Sequence, residues 1–168
     1  MLDNLKEEQQ ILNVNDFRIE DINVVENKIL VKDYINLRKL GPFIDYKEKD
    51  IEVALNNTLY SITIYYGNNP IGIARIVGDD KIVFFIEDVI VHPLYKGIHI
   101  GKLLMLYLFK YIEKKACMNA YIGLVATPYT EGFSEKLGFI KRPNEHHGAG
   151  MIMYYRGGKI YEENSSIW

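Results

Sequence analysis

Residues 86–112, IEDVIVHPLYKGIHIGKLLMLYLFKYI, decide how this chain folds. The first six read as a buried strand carrying two acids, Glu87 and Asp88. Pro93 then opens a turn that holds Gly97 and Gly101, and an amphipathic helix follows. The apolar positions 100, 103, 104, 107, 108, 111 and 112 recur with a period of 3.6 and form one core-facing stripe. Lys110, Lys114 and Lys115 fall on the outer side, the last two near the helix C-terminus, where the dipole favours cations. A strand that feeds a glycine-containing loop into a helix N-terminus aims several backbone N–H groups at one point. A phosphate can sit there.

Working outward, Lys81–Val91 is the last of three strands, after Leu59–Tyr66 and Ile71–Val77. The turns Gly67-Asn68-Asn69-Pro70 and Gly78-Asp79-Asp80 join them into an antiparallel meander. Before the meander, Phe17–Val25 alternates as a strand. Leu30, Tyr34, Leu37 and Leu40 fall on one face of a helix stopped by Gly41-Pro42, and Lys47–Asn56 reads as a second helix with Ile51, Ala54 and Leu55 inward. After residue 112, Ala120–Ala126 reads as a strand and Tyr129–Leu137 as a short helix. Phe139–Lys141 and Met151–Arg156 are candidate closing strands. The order β-α-α-β-β-β-α-β-α-β-β predicts an α/β fold: a mixed, mostly antiparallel sheet of six to seven strands flanked by about four helices.

The 168 residues suit a single domain, with 1–15 as a flexible or helical extension. A net charge of −2 and scattered lysines give no surface for nucleic acid or anionic lipid. No apolar run approaches the roughly 20 residues of a membrane span. The lone Cys117 excludes an intrachain disulfide and suits a reducing compartment, so a cytoplasmic location is expected. Cys117 has only lysines near it in sequence and makes a poor nucleophile. His146 and His147 beside Glu145 lack a matching His or Cys set, so no metal is expected.

The loop Lys96-Gly97-Ile98-His99-Ile100-Gly101-Lys102 is not a Walker A motif. Its glycines stand one residue too close, and Leu103 occupies the place of the magnesium-binding hydroxyl. Nor does an acidic residue close a following strand as a dinucleotide fingerprint requires. Instead, VHPLYKGIHIGKLL (91–104) resembles motif A of the GNAT N-acetyltransferase superfamily, V-x-P-x-[YF]-[QR]-G-x-G-[IV]-G-x-x-L. EGFSEKLGF (131–139) resembles the family's motif B, and RPNEHHGAGM (142–151) resembles the ending of one bacterial branch of small acetyltransferases. That branch tends to carry an LR helix, a GxxRxxGD strand and a DVxV segment, matched here by Leu37-Arg38, Gly72–Asp79 and Asp88–Val91. The resemblance covers roughly residues 30–155.

It implies a GNAT fold and acetyl-CoA or another acyl-CoA as donor. Lys96, Gly97, Ile98, His99, Ile100, Gly101 and Lys102 would surround the pyrophosphate. Val89, Ile90 and Val91 would bind the pantetheine arm like an added strand, with one N–H polarising the thioester carbonyl. Thr127 and Phe133 match positions that line the cofactor. The acceptor would be a small-molecule amine, and a homodimer is compatible with the resemblance.

Aminolysis needs a neutral amine, so a base must take a proton from the ammonium. Glu87 and Asp88 are the catalytic candidates, although successive strand residues share a cavity only where the strand is bulged. The competing reading is that one acid merely holds Arg75 on the neighbouring strand. Two positions depart from the family pattern: His99 replaces the middle glycine of motif A, and Ser134 replaces the tyrosine frequent in motif B, a candidate general acid for the leaving thiolate. Tyr129 is the nearby phenol. These departures support a rival reading as an acyl-CoA sensor or protein-interaction module. A third reading is an aminoglycoside-type enzyme using Asp79, Asp80, Glu87 and Asp88 to attract a cation.

Overall fold

A computed structural model describes residues 17–155 and 157. The expected extension over 1–15 lies outside these residues, as does Arg156. The described residues form two compact units that divide between Val125 and Ala126.

The first unit holds a five-stranded sheet in the order β1 (Ile22–Glu26), β2 (Tyr60–Tyr66), β3 (Asn69–Gly78), β4 (Val83–Val91) and β5 (Tyr121–Leu124). The first four strands are antiparallel neighbours, as the meander predicts, and β5 lies parallel to β4. A parallel neighbour needs a crossover, and the helix between these strands supplies it. Helices α1 (Val31–Arg38) and α2 (Glu48–Asn56) fill the connection from β1 to β2, and α3 (Ile100–Lys115) fills that from β4 to β5.

Register assigns the two faces. Ile62 pairs with Ala74 and Ile64 with Gly72, so these residues share a face, and Tyr60 beside them stacks on Tyr111 of α3 at 4.7 Å. A Cβ on Gly72 would stand 3.0 Å from Ile100 Cγ2 and 3.2 Å from Leu104 Cδ1. The missing side chain therefore lets the first turn of α3 lie directly on β3. Ile100, Leu104, Met105, Leu108 and Ile112 are buried along α3. On the opposite face, Ile73 and Ile90 pack in one cluster with Tyr34 and Leu37 of α1 and Ile51 of α2.

Several sequence expectations need correction. The sheet has five strands among the described residues rather than six to seven. Phe139–Lys141 and residues 151–155 are not in strands; the first run meets Pro143, whose ring removes a ladder N–H. The strand expected over 17–25 begins at Ile22, because a 3₁₀ turn occupies Ile19–Asp21. Ala54 is exposed rather than inward, as is Leu40. Met105, outside the predicted stripe, is fully covered. In the second unit, α4 (Glu131–Glu135) is shorter than the helix expected over 129–137.

The β3–β4 turn depends on one glycine. Gly78 has φ +153°, and a Cβ there would lie 1.9 Å from the carbonyl oxygen of Val83. Asp79 closes the same turn by accepting N–H bonds from Lys81, Ile82 and Val83 at 2.7–2.9 Å. Those bonds hold its carboxyl below the usual range. Gly78→Ala should cost about 2–4 kcal/mol through backbone strain and clash. A urea midpoint equal to that of the parent protein would show that the turn relaxes freely.

Candidate active site

The site grows from the second half of β4. Arg75 pairs with Glu87 and Ile73 with Ile90, leaving two residues, Asp88 and Val89, opposite Ala74 alone. That is a β-bulge, and Asp88 at its centre has φ +53°. Aspartate tolerates this left-handed conformation better than most side chains. The bulge breaks the alternation of a regular strand. Glu87 shares a face with Arg75 as its cross-strand partner. Asp88 also reaches Arg75, whose Nε donates to Oδ2 at 2.6 Å. Both acids therefore gather on the face covered by α1.

The two acids differ in their partners. Asp88 is buried and accepts three side-chain donors: Arg75, the Tyr34 hydroxyl at 2.9 Å, and Arg38 Nη1 on Oδ1. Burial and the adjacent carboxylate push the Tyr34 hydroxyl up to about 12, so it remains a proton donor to Asp88. Asp88 is thus committed to its arginines, as the competing sequence reading allowed. Glu87 has no hydrogen bond or ion pair among the described residues. Partial burial, reinforced by the charge of Asp88, raises its pKa; Arg75 and Arg38 oppose the rise without cancelling it. A half-buried carboxyl of raised pKa is suited to exchanging protons.

Beside these acids the sheet opens. β4 pairs with β5 from Val83↔Tyr121 to Ile86↔Leu124, and the pairing stops there. Glu87, Asp88, Val89, Ile90 and Val91 keep β3 on one side, while alternate backbone groups on the other side have no strand partner among the described residues. An extended chain could add there through main-chain bonds.

The loop after β4 completes the site. His92 Nδ1 accepts the Leu94 N–H at 3.3 Å and caps a short 3₁₀ turn, Pro93–Tyr95. Gly97 (φ +85°) and His99 (φ +70°) are both left-handed, so the chain coils tightly into α3. His99 is the N-cap residue, and its carbonyl takes the first helical bond from Leu103 N–H at 3.0 Å. The N–H groups of Ile100, Gly101 and Lys102 consequently have no acceptor within the helix. Lys96, Gly97, His99 and Lys102 are exposed, Ile98 and Gly101 are half-buried, and Ile100 is buried against Gly72.

Asp80 bonds Tyr111 and Lys115 of α3 at 2.8 Å each, and Asp79 closes its turn through Oδ1. In the second unit, the Thr127 carbonyl accepts the Thr130 N–H and hydroxyl at 3.1 and 2.8 Å in the turn before α4. Phe133 is an exposed residue of that helix. The Ser134 carbonyl accepts the N–H groups of Leu137 and Phe139 at its C-terminal end. Tyr129 has φ +69° and is fully exposed. His146 pairs with Glu145 at 3.0 Å, and His147 sits in a turn built by Asn144. Tyr34 and Arg38 were missed as site residues. Their signal was an aspartate inside an apolar strand, which demands partners.

Comparison with known proteins agrees with this architecture. A family profile described as the acetyltransferase (GNAT) family matches residues 27–139. The chain belongs to the GNAT acetyltransferase family. An uncharacterized N-acetyltransferase, ycf52, from Gracilaria tenuistipitata var. liui is 30% identical over 121 residues, covering 66% of this chain and 65% of that protein. The chain thus spans just under two thirds of that relative. A probable acetyltransferase from meticillin-resistant Staphylococcus aureus superimposes with a TM-score of 0.73 at 30% identity, covering 80% of this chain and 99% of that structure. A GNAT family acetyltransferase from Streptococcus pneumoniae TIGR4 shares the fold with a TM-score of 0.68 at 24% identity, covering 81% and 99%. No helix among the described residues is long and apolar enough to cross a membrane.

The raised pKa of Glu87 has a consequence for stability. Unfolded, the carboxyl ionises near about 4.3. Folded, it holds its proton to higher pH, so the native state binds more protons between the two values and stability falls as pH rises through that window. Glu87→Gln should therefore raise Tm at pH 7 and flatten that fall. Thermal melts from pH 4 to 8 with no change in slope would mean that Glu87 ionises normally.

Proposed function

We propose that this acetyltransferase moves an acetyl group from acetyl-CoA to a primary amine of a small molecule, by direct attack in a ternary complex. The observation that carries the reading is the opening of the sheet after Ile86, with Glu87 on one side of it and the coiled loop into α3 beyond it.

The residues fit such a donor. A Cβ on Gly97 would meet no atom within 4 Å, so the loop faces open space where a phosphate can approach its backbone. The N–H groups of Ile100, Gly101 and Lys102 point out of the helix start, where the dipole favours an anion. Lys96 and Lys102, both exposed, add positive charge. Backbone groups of Val89, Ile90 and Val91 on the open edge would pair with the pantetheine arm, and one N–H would polarise the reacting carbonyl. Acetyl-CoA, when bound, supplies an activated thioester.

Glu87 is the proton acceptor in this scheme. It takes one proton from the ammonium of the acceptor, directly or through water; the freed lone pair attacks the thioester carbonyl, the C–N bond forms as the C–S bond breaks, and the leaving CoA thiolate takes up the second amine proton. Asp88 holds the bulge and does not share this task, because its oxygens are occupied by Arg38, Arg75 and Tyr34. Ser134 in place of the family's tyrosine favours a second reading, an acyl-CoA-binding protein without turnover.

Glu87→Gln should lower kcat/KM by about 10²–10⁴-fold while the Kd for CoA stays within about twofold. Full activity in this variant, measured as CoA release with a panel of primary amines, would remove Glu87 as base. Gly97→Glu should abolish CoA binding in calorimetry by placing a carboxylate among the N–H donors; undiminished binding would remove the cradle. Binding by the parent protein with no CoA release on any amine would favour the second reading.

A further inference from the structure

Arg38 closes α1 and touches three parts of the fold at once. Nη1 pairs with Asp88 on the bulge. Nη2 donates to the Ile44 carbonyl at 2.9 Å, in the loop between α1 and α2. The guanidinium also lies over the rings of Phe43 and Tyr46 from that loop, at 4.9 and 5.3 Å, and over Tyr34 at 5.2 Å. The side chain is only 12% exposed. Ile44 and Tyr46, by contrast, present large exposed apolar surfaces. Phe43 of this loop packs against the cluster that holds Ile73 and Ile90 of the sheet, and Arg38 adds the polar link from the loop to the bulge.

We propose that Arg38 is a positioning residue that ties the loop between α1 and α2 to the bulge and sets the charge balance around Glu87. It acts through another residue rather than on the reacting atoms. Three charged groups act on Glu87: Asp88 beside it on β4, Arg75 opposite it on β3, and Arg38 from α1. The Tyr34 hydroxyl, also from α1, stays neutral on Asp88. Removing Arg38 leaves Asp88 its bonds to Arg75 and Tyr34 but takes one positive charge from Glu87's surroundings. Removing the charge of Asp88 does the reverse, leaving two arginines to favour ionised Glu87. The two halves of one ion pair therefore push Glu87 in opposite directions. A purely structural role would impair both variants alike.

The test is a carboxyl titration of Glu87 by ¹³C NMR on the full chain, which reads the residue whether or not it is the base. Arg38→Gln should move the midpoint up and Asp88→Asn should move it down, each by about half a pH unit or more. Arg38→Lys keeps the charge but loses the planar fork that reaches Ile44 and stacks on the rings. Its midpoint should match the parent's, while the amides of Leu40 and Gly41, which bond to Leu37 and Arg38 carbonyls at 3.2 and 3.1 Å, exchange about tenfold faster. Midpoints that move in the same direction, or unchanged exchange in Arg38→Lys, would overturn the proposal. Should Asp88→Asn fail to fold, the contrast between Arg38→Gln and Arg38→Lys decides alone, and equal midpoints there would overturn it. The kinetic arm rests on the function proposed above: the acid limb of kcat/KM, with an amine the panel identifies, should follow the midpoints. Opposed midpoints with an unmoved limb would support the role of Arg38 and reject Glu87 as base.

Discussion

The fold turns on one buried carboxylate. Asp88 sits in a left-handed bulge, a conformation that costs an ordinary residue about 1–2 kcal/mol. A buried aspartate without partners would cost several times more. Here Arg38, Arg75 and Tyr34 converge on it from two elements, so the bulge and the clasp sustain each other. Removing the clasp would leave either an unpaired buried charge or a regular strand. A regular strand would turn one of the two acids to the opposite face of the sheet.

What the clasp preserves is an asymmetry between neighbours. Glu87 and Asp88 are adjacent in sequence and on one face, yet one is saturated with donors and the other has none among the described residues. Partial burial and Asp88's charge then favour protonation of Glu87, against the pull of the arginines. Two like residues with such different partners can divide work, one holding geometry and one left open to solvent and ligand. The parting of β4 from β5 at Ile86↔Leu124 adds an open backbone edge to that division. Edge, unpaired carboxyl and coiled loop all follow within sixteen residues of one another, from Glu87 to Lys102.

Much of this was legible in the sequence, for reasons that differ by element. The meander declares itself through glycine-containing turns, and α3 through a stripe of period 3.6. The bulge does not: insertion of one residue leaves no compositional mark, and only the adjacency of two acids in an apolar strand hinted at it. The clasp was partly visible in three separate motifs, Leu37-Arg38, Gly72–Asp79 and Asp88–Val91, whose residues Arg38 and Arg75 both pair with Asp88. Nothing in linear spacing could join them, because 50 positions separate Arg38 from Asp88. The closing strands were overread because short apolar runs carry β propensity whether or not a partner ladder exists. Buried Asp33 was missed for the opposite reason. Its charge predicts exposure, and only the fold brings the Tyr65 hydroxyl to it at 2.7 Å.

His99 shows how a departure from a pattern can be read physically. A glycine at that position would reach φ +70° without strain, and a β-branched residue would resist it. Histidine lies between the two, and here it adopts the left-handed conformation with its side chain exposed and making no capping bond. The backbone path into α3 is therefore kept, at a cost confined to one residue. What changes is the surface beside the N–H groups, where an imidazole now stands in place of a hydrogen atom. The substitution spares the donors and alters what can approach them.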